Sequence, residues 1–133
     1  LIYQFYNLIP ILNVKENMTL PILLDGKKLD DKYLDELTST LGLERRVNHL
    51  PNELSGGQQQ RVSIGRALIS RPDIILADEP TGNLDSKASM EIMDLLKLSN
   101  KKYHQTIIMI THDMNLAKMA DRIITLEDGK IVE

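Results

Sequence analysis

The apolar residues of this chain follow two kinds of spacing. In the first half they recur at helical intervals. Leu34, Leu37 and Leu41 lie three and four residues apart, behind Asp30 or Asp31 as a cap and ahead of Gly42 as a stop. Asn13 followed by Glu16 has the form of a capping box and predicts a helix over roughly 14–24, broken or kinked at Pro21. Asp25-Gly26-Lys27-Lys28 reads as a turn, and a further helix is predicted over 58–70, ended by the Arg71-Pro72 step. Residues 1–4 are apolar and β-prone and predict a short strand.

The second half replaces that spacing with short unbroken runs. Ile74-Ile75-Leu76-Ala77 and Thr106–Thr111 predict strands buried on both faces of a parallel sheet. Between them Ala88, Ile92, Leu95 and Leu96 mark an amphipathic helix over about 86–100. A short helix over 115–120, a strand over Arg122–Glu127, a hairpin turn at Asp128-Gly129 and a last strand at Lys130–Val132 complete the pattern. The expected fold class is α/β, with a mainly helical part over 1–71 and a strand–helix alternation over 72–133. Ligands are expected at the C-terminal ends of the parallel strands.

Composition narrows the chemistry. At 133 residues the chain is one domain's worth of polypeptide, 42% apolar and 26% charged, as in ordinary globular domains. The net charge of −3 is spread without a basic arm or acidic tail, so nucleic-acid binding through bulk charge is disfavoured and no nucleic-acid partner is expected. The absence of cysteine removes disulfides, thiolate nucleophiles and Cys-ligated zinc, and fits a reducing compartment. No run approaches the ~18 apolar residues of a membrane span, and no secretory leader is visible.

Three motifs carry chemistry. Leu54-Ser55-Gly56-Gly57-Gln58-Gln59-Gln60-Arg61 stands at a helix start. Ser and two Gly there leave backbone N–H groups bare at the positive end of the helix dipole, an anion site suited to phosphate. Asp78-Glu79-Pro80 follows the first apolar run, so two acids are delivered at the sheet's C-terminal edge. The first can hold hydrated Mg²⁺ through carboxylate oxygen, and the second can polarise an attacking water. Thr111-His112-Asp113 ends the other run and brings an imidazole to the same edge, where it could hydrogen-bond a phosphoryl group. His49 and His104 read as structural.

In this order the motifs resemble those of the ATP-binding subunits of ABC transporters, over the whole of residues 1–133. Leu54–Arg61 resembles the family signature, Asp78-Glu79 the Walker B end, Gly82-Asn83-Leu84-Asp85 the D-loop, His112 the switch histidine and Gln4 the Q-loop glutamine. Asn7-Leu8-Ile9-Pro10, Glu79–Ser86 and Asp128–Val132 are similar to the branch of lipoprotein-release, macrolide-export and antimicrobial-peptide-resistance transporters. The resemblance implies a P-loop NTPase core with a helical signature subdomain, here in part. It implies ATP and Mg²⁺, a permease partner, and a second ATP-binding subunit sandwiching the nucleotides. The implied place is the cytoplasmic face of the cell membrane. Ser55, Gly56, Gly57 and Gln58 would touch nucleotide bound by the other subunit, Asp78 and Gln4 would serve the metal, Glu79 would be the base, Asp85 would act across the interface and His112 would clamp the γ-phosphate. The cargo suggested is export of, or resistance to, antimicrobial peptides.

One required element is missing from these residues. The glycines stand at 26, 42, 56, 57, 65, 82 and 129, and none builds G-x-x-x-x-G-K-[ST]. With Leu1, not Met, opening inside an apolar run, the chain reads as the C-terminal part of a longer subunit, cut just before Gln4. Alone it is expected to bind nucleotide poorly, to turn over none, and to form a domain-swapped or face-to-face oligomer through its raw sheet edge. The alternatives are an SMC- or repair-type ATPase, a translation-associated relative, or a non-catalytic regulatory fragment. The absence of heptads and cysteine between Gln4 and Ser55, and the presence of Glu79 and His112, weigh against them.

Overall fold

A computed structural model describes residues 1–132. Three helices come first: α1 (Val14–Leu24), α2 (Asp31–Thr40) and, after a 3-10 turn at Pro51–Glu53, α3 (Gly56–Leu68). The chain then alternates as β1 (Ile74–Asp78), α4 (Ser86–Tyr103), β2 (Thr106–Ile110) and α5 (Met114–Ala117), and ends on the hairpin β3 (Leu126–Glu127) and β4 (Lys130–Ile131).

Local chemistry accounts for the helix starts. Asn13 Oδ1 accepts the Glu16 N–H at 2.8 Å while Glu16 Oε2 accepts the Asn13 N–H at 2.8 Å, the reciprocal pair its spacing predicts. Asp30 caps α2 through the Tyr33 N–H, and Gly42 ends it at φ +66°. The predicted break or kink at Pro21 gives way to a continuous α1, which forgoes the one hydrogen bond that Pro21 cannot donate while the Pro21 carbonyl still accepts the Asp25 N–H at 3.1 Å. Helix α3 begins two residues earlier than predicted because Ser55, not a later residue, is its cap.

β1 and β2 pair in parallel, Ile74 opposite Thr106 through Asp78 opposite Ile110. Two expectations fail here. The strand predicted over 1–4 is a single bridge: Ile2 exchanges hydrogen bonds with Leu76 and Asp78 of β1 at 2.8 Å each. The chain then leaves the sheet, since the Tyr3 carbonyl is taken by Gln60 and the Gln4 side chain by Asn83. The strands are also not buried on both faces. Ile75 and Ala77 are buried, whereas Ile74, Leu76, Ile108 and Ile110 are exposed, because the helical layer, with α4 against β2, covers one face only among the described residues.

The strand predicted over 122–127 shrinks to Leu126–Glu127, with the Thr125 carbonyl still accepting the Val132 N–H at 3.0 Å and Ile123 and Ile124 exposed. The hairpin turn stands as predicted, Asp128 and Gly129 both in the left-handed region. The core runs from α1, α2 and α3 to the inner face of β1 and α4, with Met18, Leu37, Leu41, Ile64, Leu68, Ile75 and Ile92 wholly or almost wholly buried.

Candidate active site

The predicted acid and imidazole meet. Glu79 follows β1 directly. Its N–H donates to the Ile110 carbonyl at the end of β2, and its own carbonyl accepts from the Gly82 N–H, so the peptide is pinned on both sides. The residue is held at φ +44°, a region a branched or long side chain occupies only when its surroundings impose it. Glu79 Oε1 then accepts the backbone N–H of His112 at 3.0 Å and lies 2.7 Å from His112 Nδ1. An ionised carboxylate only accepts, so that ring nitrogen carries the proton. The histidine side chain is 87% exposed and the glutamate 21%, leaving the imidazole open to a ligand while its partner is recessed. Asp113 caps α5 through the Asn115 N–H, which fixes the turn on which His112 stands.

Around this pair lies a hollow of about 350 Å³, lined also by Thr81, Gly82, Ser86, Ser89, Thr111 and Asn115. A second groove, of about 450 Å³, gathers Ser55, Gly56, Gly57, Gln58, Asn83 and Asp85. Leu84 lines both. Ser55 Oγ accepts the Gln58 N–H at 3.2 Å and Gln58 Oε1 accepts the Ser55 N–H at 3.0 Å. That capping box uses the Ser55 and Gln58 donors. The N–H groups of Gly56 and Gly57, in the first turn, have no intrahelical partner and remain available to an anion. Asp85 caps α4 through the Ala88 N–H at 2.8 Å, so a role for it elsewhere competes with the start of that helix.

Gln4 and Asp78 are placed differently. Gln4 lies against the Gly82-Asn83 turn: its amide donates to Asn83 Oδ1 at 3.3 Å, Asn83 donates back to the Gln4 carbonyl at 3.2 Å, and a Cβ added to Gly82 would stand 2.7 Å from the Gln4 amide nitrogen. Gly82 is therefore a matter of close approach, not of turn geometry. Asp78 ends β1 exposed, and neither residue lines the Glu79–His112 hollow.

Two further residues, Gln60 within the Leu54–Arg61 stretch and Arg66 beyond it, bridge segments through partners that their sequence does not signal. Gln60, fully buried in α3, donates to the Tyr3 and Pro80 carbonyls. Arg66 donates to the Tyr6 carbonyl at 2.9 Å and the Asn7 carbonyl at 2.7 Å, and burial lowers its pKa. The available signal for Gln60 was its place one turn before Ile64 and two before Leu68, an amide on an apolar face.

Comparison with known proteins fits this geometry. A family profile described as ABC transporter matches residues 1–82. The chain is 52% identical over 134 residues to the uncharacterized ABC transporter ATP-binding protein MJ1508 of Methanocaldococcus jannaschii, covering 99% of this chain and 59% of that protein. It is 47% identical to the macrolide export ATP-binding/permease protein MacB of Pasteurella multocida, over 98% of this chain and 20% of that one. The dimeric post-hydrolysis structure of the ATP-binding cassette MJ0796, bound to ADP and Pi, superposes with a TM-score of 0.79 at 45% identity, covering 98% of this chain and 60% of the cassette. The chain thus spans about six-tenths of the single-cassette proteins it matches.

Proposed function

Since the chain belongs to the ABC transporter family and has the fold of the corresponding part of its ATP-binding cassettes, we propose that it works within an ATP-hydrolysing subunit that powers transport through a partner permease. The observation that carries the reading is the Glu79–His112 pair: a recessed carboxylate in a strained backbone conformation, oriented by two N–H groups of one histidine at the ends of two parallel strands.

In this reading Glu79 takes the proton of the attacking water, and His112, free on its outer side, meets the γ-phosphate. Nδ1 is committed to Glu79, so the imidazole reaches phosphate through its other nitrogen, which must carry a proton to donate. Ser55, Gly56, Gly57 and Gln58 offer the N-terminal turn of α3 to nucleotide held by a second copy, with Asp85 beside them. Pairing of subunits then completes a site that neither has alone, as phosphoryl transfer by positioning allows.

Asp78 and the Gln4 amide oxygen supply the hard donors that Mg²⁺ prefers. The described residues contain no group of three or more His, Cys, Asp or Glu able to hold a metal by themselves, so Asp78 and Gln4 would hold a Mg²⁺ only together with the bound nucleotide and water. When bound, the ion offsets phosphate charge. These 133 residues contain no G-x-x-x-x-G-K-[ST], the phosphate-binding loop that this activity requires. Residues 1–71 act as the Q-loop and signature subdomain, and residues 72–133 as the Walker B, D-loop and switch-histidine part of the core.

The described residues include no helix long and apolar enough to cross a membrane. The subunit docks at the cytoplasmic face of the cell membrane on its permease. Similarity to MacB, and the branch-specific stretches around Asn7–Pro10 and Glu79–Ser86, favour export of, or resistance to, peptide or macrolide antibiotics as the work done.

Glu79→Gln tests the central role, because the amide keeps an acceptor for the His112 N–H and loses the base. In the subunit that joins these residues to a phosphate-binding loop, steady-state hydrolysis falls by about a hundredfold or more, and ATP-bound dimer accumulates in size-exclusion chromatography. Hydrolysis at the parent rate rejects the assignment.

A further inference from the structure

We infer that Gln60 is a positioning residue for hydrolysis, tying the Gln4 segment and the Glu79 loop to the signature helix through the two protons of one amide. The inference rests on the function proposed above.

The contacts are few and specific. Gln60 has no exposed surface. Its Nε2 donates to the carbonyl of Tyr3, which precedes Gln4, at 3.0 Å, and to the carbonyl of Pro80, which follows Glu79. Both partners are carbonyl oxygens, so only the NH₂ end can face them and the amide orientation is determined by chemistry. The other end, Oε1, is buried and unpartnered among the described residues. An amide burying an unpaired oxygen is costly as core filler, and an apolar side chain of the same length would avoid that cost. What it retains is the link between three segments.

The surroundings make that link a transmitting one. Tyr6 lies over the start of the same helix, where a Cβ on Gly56 would stand 2.7 Å from its hydroxyl, and Arg66 holds the Tyr6 and Asn7 carbonyls. Residues 3–7 are therefore gripped by α3 at its first, second and third turns and move with it. Gln60 extends the same grip to Pro80, the residue bonded directly to Glu79. A shift of the Ser55–Gly57 turn on meeting nucleotide is delivered through this amide to the base. Gln60 touches neither nucleotide nor water and acts only through Glu79 and Gln4.

The test uses Gln60→Met, of matching length without the donor, and Gln60→Glu, of matching shape with a carboxylate set against two carbonyls. Both are made in the subunit with its phosphate-binding loop and assayed below their melting temperatures, so a methionine variant that folds poorly leaves the glutamate variant to answer. A displacement of ~1 Å at a reacting group costs about a hundredfold, so kcat drops on the order of ten- to a hundredfold. The KM for ATP stays within about threefold, as for a group acting only in the transition state, and ATP-driven dimerisation persists. A kcat within about twofold of the parent overturns the inference. So does a variant in which kcat, KM, dimerisation and melting temperature all deteriorate together, the mark of an amide that only supports the fold. If the parent subunit hydrolyses ATP, either result removes the role of Gln60 alone. A parent without hydrolysis removes the function and this inference with it.

Discussion

The helices and the sheet of this molecule dispose of their apolar residues in opposite ways. Around α1, α2 and α3, residues such as Met18, Leu37, Leu43, Val62 and Ile64 have no exposed surface. Along β1 and β2 the same residue types alternate: Ile75 is buried, while Ile74, Leu76, Ile108 and Ile110 are about half exposed or more. The helices enclose a core of their own within these residues, and the sheet is covered on one face. Parallel strands with unbroken apolar sequences are built to be covered on both. Stability is therefore concentrated in the helices. The candidate site lies at the ends of β1 and β2, and α3 reaches the loop after β1 through Gln60.

The strongest way to break this contrast is to cut into the helical core. Ile64 sits at the centre of α3 without exposed surface. Ile64→Ala removes buried methyl groups and leaves a cavity, and is expected to cost about 2–5 kcal/mol in urea-induced unfolding. A loss no larger than that of a surface substitution would mean that the helices do not carry the stability of this chain.

The helical region was the more legible of the two for the same physical reason. Its signals are local. Asn13 and Glu16, Asp30 and Tyr33, and Gly42 each act within one turn, and the helices begin or end at or near them. β1 and β2 lie nearly to the residue where their apolar runs predict, but the burial expected for them does not hold. An apolar run states what a strand is suited to, not what lies against it among the residues present. Residues 1–4 misled differently: Ile2 pairs as a strand does, and the pairing stops because Gln60 and Asn83 claim the next two residues. Those are long-range contacts that no window of sequence contains. At the site, the proximity of Glu79 and His112 followed from two strands ending side by side. The place of Gln4 against Asn83 and the bridging by Gln60 did not, since an amide can serve many partners and its neighbours in sequence do not name them.

A milder test addresses the sheet. Ile108→Thr with Ile110→Thr keeps β-branched residues on β2 and reduces only the exposed apolar surface. Unfolding stability should change by no more than about 0.5 kcal/mol per site, while binding of an apolar fluorescent dye falls. A loss comparable to that of Ile64→Ala, with dye binding unchanged, would mean that this face is covered in solution and that the contrast between the two regions is smaller than the exposures state.

The smallest effect belongs to the surface of the helical region, and it asks whether burial alone makes that region stable. Asp30 is exposed. Its carboxylate accepts the Tyr33 N–H at 3.1 Å and pairs with Arg71 at 3.0 Å, and that guanidinium lies 4.1 Å from the centroid of the Tyr33 ring. The Tyr33 N–H first, then Arg71, hold the acid below the ordinary value of 3.8. A folded-state pKa lower than the unfolded one adds stability that is present above 3.8 and lost as pH falls through the folded value. Asp30→Asn keeps a capping oxygen and removes the charge, so only the ionic part is lost, and exposed pairs contribute little. The urea midpoint of the parent should exceed that of the variant slightly and by a constant amount from neutral pH down to mildly acidic pH, and the gap should close below 3.8. A gap that widens on acidification would reverse the sign argued for this carboxylate. A gap at neutral pH as large as the Ile64→Ala effect would place the stability of the helices in their surface charges instead of their core.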